Sequence, residues 1–118
     1  MRGLRVILTG YTKIMNRQLQ RIIDQIEARQ YKEAYEALKM MRKDPALSEE
    51  IVEVAEIASI EIGVTEKRRQ EEPDGGFYAK SAVLRLQEAL GDPNAAERLR
   101  LLKEQMNLTL DAQVNSRN

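Results

Sequence analysis

The chain has 118 residues, enough for one domain, with 42% apolar and 32% charged side chains, a composition that describes an ordered domain with a well-solvated surface. It contains no His, Cys or Trp, which excludes disulfides, thiolate nucleophiles, imidazole bases and most zinc sites, and leaves carboxylates, Lys, Tyr or a hard metal for any catalysis. The net charge is zero but unevenly spread: residues 1–43 carry ten Lys or Arg against four Asp or Glu, residues 44–76 three against ten, and residues 77–118 six against five.

In chain order, Leu4-Arg5-Val6-Ile7-Leu8-Thr9-Gly10 reads either as a short strand or as a backward continuation of the first helix, so residues 1–14 form an N-terminal extension of open structure. That apolar cluster is too short for a secretory core, and no apolar run reaches the roughly 18 residues a membrane helix needs. A cytoplasmic address is the expectation. From residue 15 to residue 107 the pattern predicts a helical domain. Met15, Leu19, Ile22, Ile23 and Ile26 recur at three and four residues, the signature of an amphipathic helix. After a junction near Arg29 and Gln30, the spacing restarts at Tyr31, Ala34, Tyr35, Leu38 and Met41 and stops at Asp44-Pro45, because proline excludes its predecessor from helix.

Ser48 suits an N-cap, and Glu49, Glu50 and Glu53 suit the positive end of a third helix running to about Arg69. Its stripe is Ile51, Val54, Ala55, Ala58 and Ile62, with Val52, Ile57 and Ile60 on other faces, so this helix is expected at the centre of the fold. Lys67-Arg68-Arg69 places cations at its negative end. Glu71-Glu72-Pro73-Asp74-Gly75-Gly76 is a loop, and it lacks the bidentate Glu that a calcium loop requires. Ala79, Ala82, Val83, Leu86 and Leu90 mark a fourth helix, ended by Gly91-Asp92-Pro93, and Ala95, Leu99, Leu102 and Met106 a fifth, capped by Asp92 or Asn94. Residues 108–118 have no sustained period and read as a flexible C-terminal tail. The fold class is therefore all-α, about five helices in an antiparallel bundle or a short helical-hairpin stack.

An offset of 48 residues lays Ala34, Leu38, Asp44 and Pro45 on Ala82, Leu86, Asp92 and Pro93, so each copy is helix, Asp-Pro, helix. This spacing resembles the second helix of a tetratricopeptide repeat, most clearly at Tyr31-Lys32-Glu33-Ala34, with Ile51, Val54, Ala55 and Ala58 where the next repeat begins. The resemblance covers about 40 residues. It implies a groove for an extended peptide or a partner helix.

A second resemblance concerns chemistry. Glu49-Glu50-x-x-Glu53 followed by Glu71-x-x-Asp74 is similar to the metal motif of all-α nucleotide pyrophosphohydrolases. It implies that Glu49, Glu50, Glu53 and Asp74 hold Mg2+ against the phosphates of a nucleoside triphosphate, chemistry that needs no His. In this chain Pro73 separates Glu71 from Asp74, which breaks the helical spacing of the second half. Carboxylates at a helix start are also what the helix dipole favours in any protein. Arg2, Arg5, Lys13, Arg17 and Arg21 form a basic strip that fits an accessory nucleic-acid role, although Tyr11 is the one aromatic among them. The aromatics Tyr31, Tyr35, Phe77 and Tyr78 fall at helix starts, where they suit packing.

The functional expectation is a non-catalytic protein–protein interaction or assembly subunit with no catalytic residue and no cofactor, either self-associating as a homo-oligomer or joined to a protein partner. Its expected interface residues are Arg17, Arg21, Lys32, Lys39, Glu53 and Glu56. The alternatives are a Mg2+-dependent pyrophosphohydrolase-like enzyme and a nucleic-acid accessory protein. Three arrangements accommodate the charge polarity: the basic helices lie beside the acidic one within a molecule, copies associate head to tail, or the basic face meets an acidic partner.

Overall fold

The computed structural model describes residues 9–72 and 75–117, which form five α-helices joined by turns, with no strand among them. The helices are α1 (Thr9–Glu27), α2 (Tyr31–Arg42), α3 (Glu49–Lys67), α4 (Gly76–Ala89) and α5 (Ala95–Arg117). Short connections make consecutive helices antiparallel. α1 packs against α2 and α4, α3 packs against α2 and α4, and α5 rests on α4. The first four helices thus close into a ring, with α1 and α3 at opposite corners and α5 outside it. Of the two expected architectures this is the bundle, since a hairpin stack lays its third helix on its first. None of the described helices is long and apolar enough to cross a membrane.

The core follows the expected stripes. Leu19, Ile22, Ile23 and Ile26 from α1 meet Tyr31, Ala34, Leu38 and Met41 from α2, with Ala55, Ala58 and Ile62 from α3 and Ala79, Ala82 and Leu86 from α4. As expected, α3 carries the most buried side chains among the described residues, namely Ala55, Ala58, Ser59, Glu61, Ile62 and Thr65, while α4 is the helix with three neighbours. The extra apolar positions of α3 do not all turn inward: Ile60 is 61% exposed, and Val52 and Ile57 are half-buried.

The helix ends show why the chain turns where it does. Ser48 Oγ accepts the backbone N–H of Ile51 at 3.3 Å, the N-cap that α3 requires. α1 ends with Arg29 at φ 64°, where Gln30 N–H reaches Gln25 O at 2.8 Å and Arg29 N–H reaches Ile26 O at 3.0 Å. This is the double bond pattern of a left-handed helix cap, formed here on a non-glycine residue. α4 ends the same way on Gly91, with Asp92 N–H on Gln87 O and Gly91 N–H on Glu88 O. At the other end of α4, Gly75 has φ 88°, and a Cβ there would lie 2.8 Å from the Tyr31 hydroxyl and 2.8 Å from Ala79 Cβ. Only glycine fits both that backbone conformation and that space.

The 48-residue repeat has a structural counterpart. Asp44 Oδ1 accepts Ala46 N–H at 2.9 Å, and Asp92 Oδ1 accepts Asn94 N–H at 2.9 Å, so both Asp-Pro turns are closed by the same side-chain bond. Ala34 and Leu38 in one copy, and Ala82 and Leu86 in the other, are all fully buried.

Two boundaries differ from the sequence reading. Thr9 to Ile14 already belong to α1, while the possible strand or helix before Thr9 lies outside the described residues. The segment expected as a flexible tail is instead helical through Arg117. Residues 108–117 contain neither Pro nor Gly, and a helix already formed extends easily through such a segment without an apolar stripe.

Candidate interaction surfaces

α1 exposes Lys13, Arg17 and Arg21 at four-residue spacing, one row of cations along its outer face. Ile14, 59% exposed, sits beside this row. Where α1 meets α2, Arg21, Ile22, Gln25, Met41 and Lys43 line a groove of about 640 Å³ together with Met40, whose side chain is 71% exposed.

α3 exposes the opposite sign. Glu49, Glu53 and Glu56 follow one another at four and three residues on its outer face, and the next position in that row is Ile60. Among the described residues, the one ion pair that links the basic first hairpin to α3 is Arg42 to Glu56, at 3.9 Å between exposed side chains. Lys32 borders a depression shared with Ile60 and Lys67 of α3, and Lys39 Nζ stands 5.4 Å from the centre of the Tyr35 ring. The six expected interface residues therefore divide. Lys32 stands at the α2–α3 seam beside Ile60 and Lys67, and Lys39 over Tyr35 of α2, whereas Arg17 and Arg21 lie on α1, which does not pack on α3. The arrangement of basic beside acidic helix within a molecule therefore holds for α2 and not for α1.

The carboxylates of the metal motif are placed as follows. Glu49, Glu50 and Glu53 are exposed on the first turns of α3, and Asp74 lies outside the described residues. Among the described residues, no three His, Cys, Asp or Glu side chains come together in a way that would hold a metal ion.

A polar cluster that the sequence reading missed lies inside the α3–α4 seam. Glu61 is buried and accepts hydrogen bonds from Ser81 Oγ and, at 2.8 Å, from Arg85 Nε. Ser81 is fully buried and Arg85 mostly so. With both oxygens engaged and the hydroxyl sealed from solvent, the cluster ties two helices together and presents no open face for chemistry. Its sequence signal was Glu61 itself, a carboxylate in the inward row of Val54, Ala58 and Thr65, where an acid requires a partner.

On α5, Arg100 bridges Glu97 and Glu104 on the exposed side. The hydrogen bond from the Arg100 guanidinium holds the Glu97 carboxyl below its ordinary value, and the two carboxylates together raise Arg100.

The opposite side of α5 faces a groove of about 590 Å³ bounded by the end of α1, the start of α2, and α4. Ile26, Tyr31, Val83, Leu84, Leu101 and Leu102 form its apolar lining, and Arg29, Lys80 and Arg98 stand with Glu27 at its edge. Leu101 is 49% exposed. The large apolar side chains that stand out from the described surface, Ile14, Met40, Ile60 and Leu101, thus fall on the α1–α2 surface, the α3 face and this groove.

No protein-family model, curated protein or solved structure matches this chain.

Proposed function

We propose that the chain is a non-catalytic interaction or assembly subunit in which the basic outer face of α1 of one copy docks on the acidic outer face of α3 of the next. The supporting observation is the placement of two rows of opposite charge, each with an exposed apolar residue, at opposite corners of one ring. Within a molecule that geometry keeps Lys13, Arg17 and Arg21 away from Glu49, Glu53 and Glu56. Between molecules the rows are complementary, with Ile14, Met40 and Ile60 as the apolar component. Because the two faces differ, the contact is heterologous and joins copies head to tail. Lys32 and Lys39, beside the acidic face, set the edge of the contact.

Sedimentation velocity over a concentration series tests this. The wild type is expected to self-associate at low ionic strength and to dissociate as salt screens the charges. Arg17→Glu with Arg21→Glu, and separately Glu53→Lys with Glu56→Lys, are each expected to give monomers, and an equimolar mixture of the two variants is expected to associate again. A wild type that stays monomeric at every concentration and ionic strength overturns the reading.

A further inference from the structure

We infer that the groove between the end of α1, α4 and α5 is the docking site for an acidic amphipathic helix of a partner protein. This extends the interaction reading to a separate surface and does not require that copies of the chain associate.

The shape comes from topology. α5 packs on α4, outside the ring, so among the described residues no other helix packs closely on the side of α5 that looks toward the end of α1. Its wall runs from Arg98 to Gln105, two turns and about 10 Å at the helical rise of 1.5 Å per residue. A helix laid in such a groove contacts it through residues at i, i+3 or i+4, and i+7. Leu101, Leu102, Val83 and Leu84 supply the apolar surface for such a row. Here the exposed apolar surface is concave and continuous, the arrangement that marks binding sites.

Charge identifies the occupant. Arg29, Lys80 and Arg98 surround the apolar floor, and Glu27 is the one carboxylate in the lining. Among the described residues, none of these three cations has a carboxylate within ion-pair distance. A rim of unpaired cations around an apolar floor favours a partner with leucine-like anchors flanked by Asp or Glu and disfavours a basic one. The chain's own residues 1–8 bring Arg2 and Arg5 and no acid, so their sign is wrong. The acidic face of α3 in a second copy has the right sign but offers Ile60 as its single strongly exposed apolar residue, where the groove calls for a row. A separate protein therefore fits best.

The test uses the full chain and a fluorescein-labelled helical peptide with Leu at i, i+3 and i+7 and Glu on both flanks, followed by fluorescence anisotropy. Saturable binding is expected, weakened about tenfold by Lys80→Glu, by Arg98→Glu and by Leu101→Ala, and unchanged by Arg17→Glu with Arg21→Glu. A matched peptide with Lys in place of Glu is expected to bind at least about tenfold more weakly. These groove positions are exposed, and circular dichroism checks that each variant stays folded. Three results overturn the proposal: no saturable binding, equal binding of the Lys peptide, or binding that is lost with the α1 variant and kept in the groove variants. Co-sedimentation with phosphatidylglycerol vesicles that depends on Lys80 and Arg98, with no peptide binding, also overturns it and assigns the groove to a lipid surface. Oligomeric state measured on the same groove variants keeps this result separate from the self-association reading.

Discussion

Glu61 brings a carboxylate into the α3–α4 seam, where Ser81 and Arg85 engage its two oxygens. Removing one member of a buried pair leaves a charge with no counter-charge, a larger loss than the pair's own net contribution. Arg85→Met is therefore expected to lower unfolding stability by about 3 kcal/mol, and Glu61→Leu combined with Arg85→Met to recover most of that loss. Urea denaturation of the two variants checks both values. A double variant no more stable than Arg85→Met alone would show that the cluster contributes through packing. Local features of this kind differ in how far a sequence discloses them. The Ser48 cap was legible because its acceptor, Ile51 N–H, is three residues away. The Glu61 cluster was not, because its partners are on another helix and their register depends on how α3 meets α4. Arg29 was invisible for a further reason: a left-handed cap is normally signalled by glycine, and here an arginine occupies it.

At the scale of the helix, α5 is the exception in the bundle. It rests on α4, and local side-chain pairs reinforce its exposed side. The Glu97 carboxyl is lowered from an ordinary 4.5 by Arg100, so its contribution to α5 is present above that value and fades as pH falls through the lower, folded-state pKa. Glu97→Gln is expected to reduce the loss of α5 order on acidification while leaving the other four helices unchanged. Residue-resolved chemical shifts between neutral pH and about pH 2 read this directly. An acid response of α5 that is the same in both proteins would remove Glu97 as its source. The helices themselves were legible from apolar spacing in α1, α2 and α4. The extent of α5 was not, since residues 108–117 are helical without a stripe to announce it. The burial of α3 was legible too, since it carries more buried residues than any other helix among the described residues, but one of its extra apolar positions, Ile60, is on the surface.

For the molecule as a whole, the order of charge along the chain was visible in the sequence, and its order in space was not. Arg17, Arg21, Glu53 and Glu56 could be picked out as charged helix faces, but only the closed ring shows that α1 and α3 stand at opposite corners. The groove beside α5 was beyond reach for the same reason, being assembled from Ile26, Val83 and Leu101, residues far apart in the chain. The two corners also set how an assembly of this chain responds to a faulty member. A copy with Arg17→Glu and Arg21→Glu keeps its α3 face and can join a growing end, but offers no surface for the next copy. Added as a minor fraction to wild-type protein, it is expected to shorten the assemblies far beyond its share of the mixture, with mass photometry following the size distribution. An effect merely proportional to that fraction would point to a symmetric pair. Head-to-tail geometry thus makes one defective subunit a terminator, and makes the supply of intact copies the control on length.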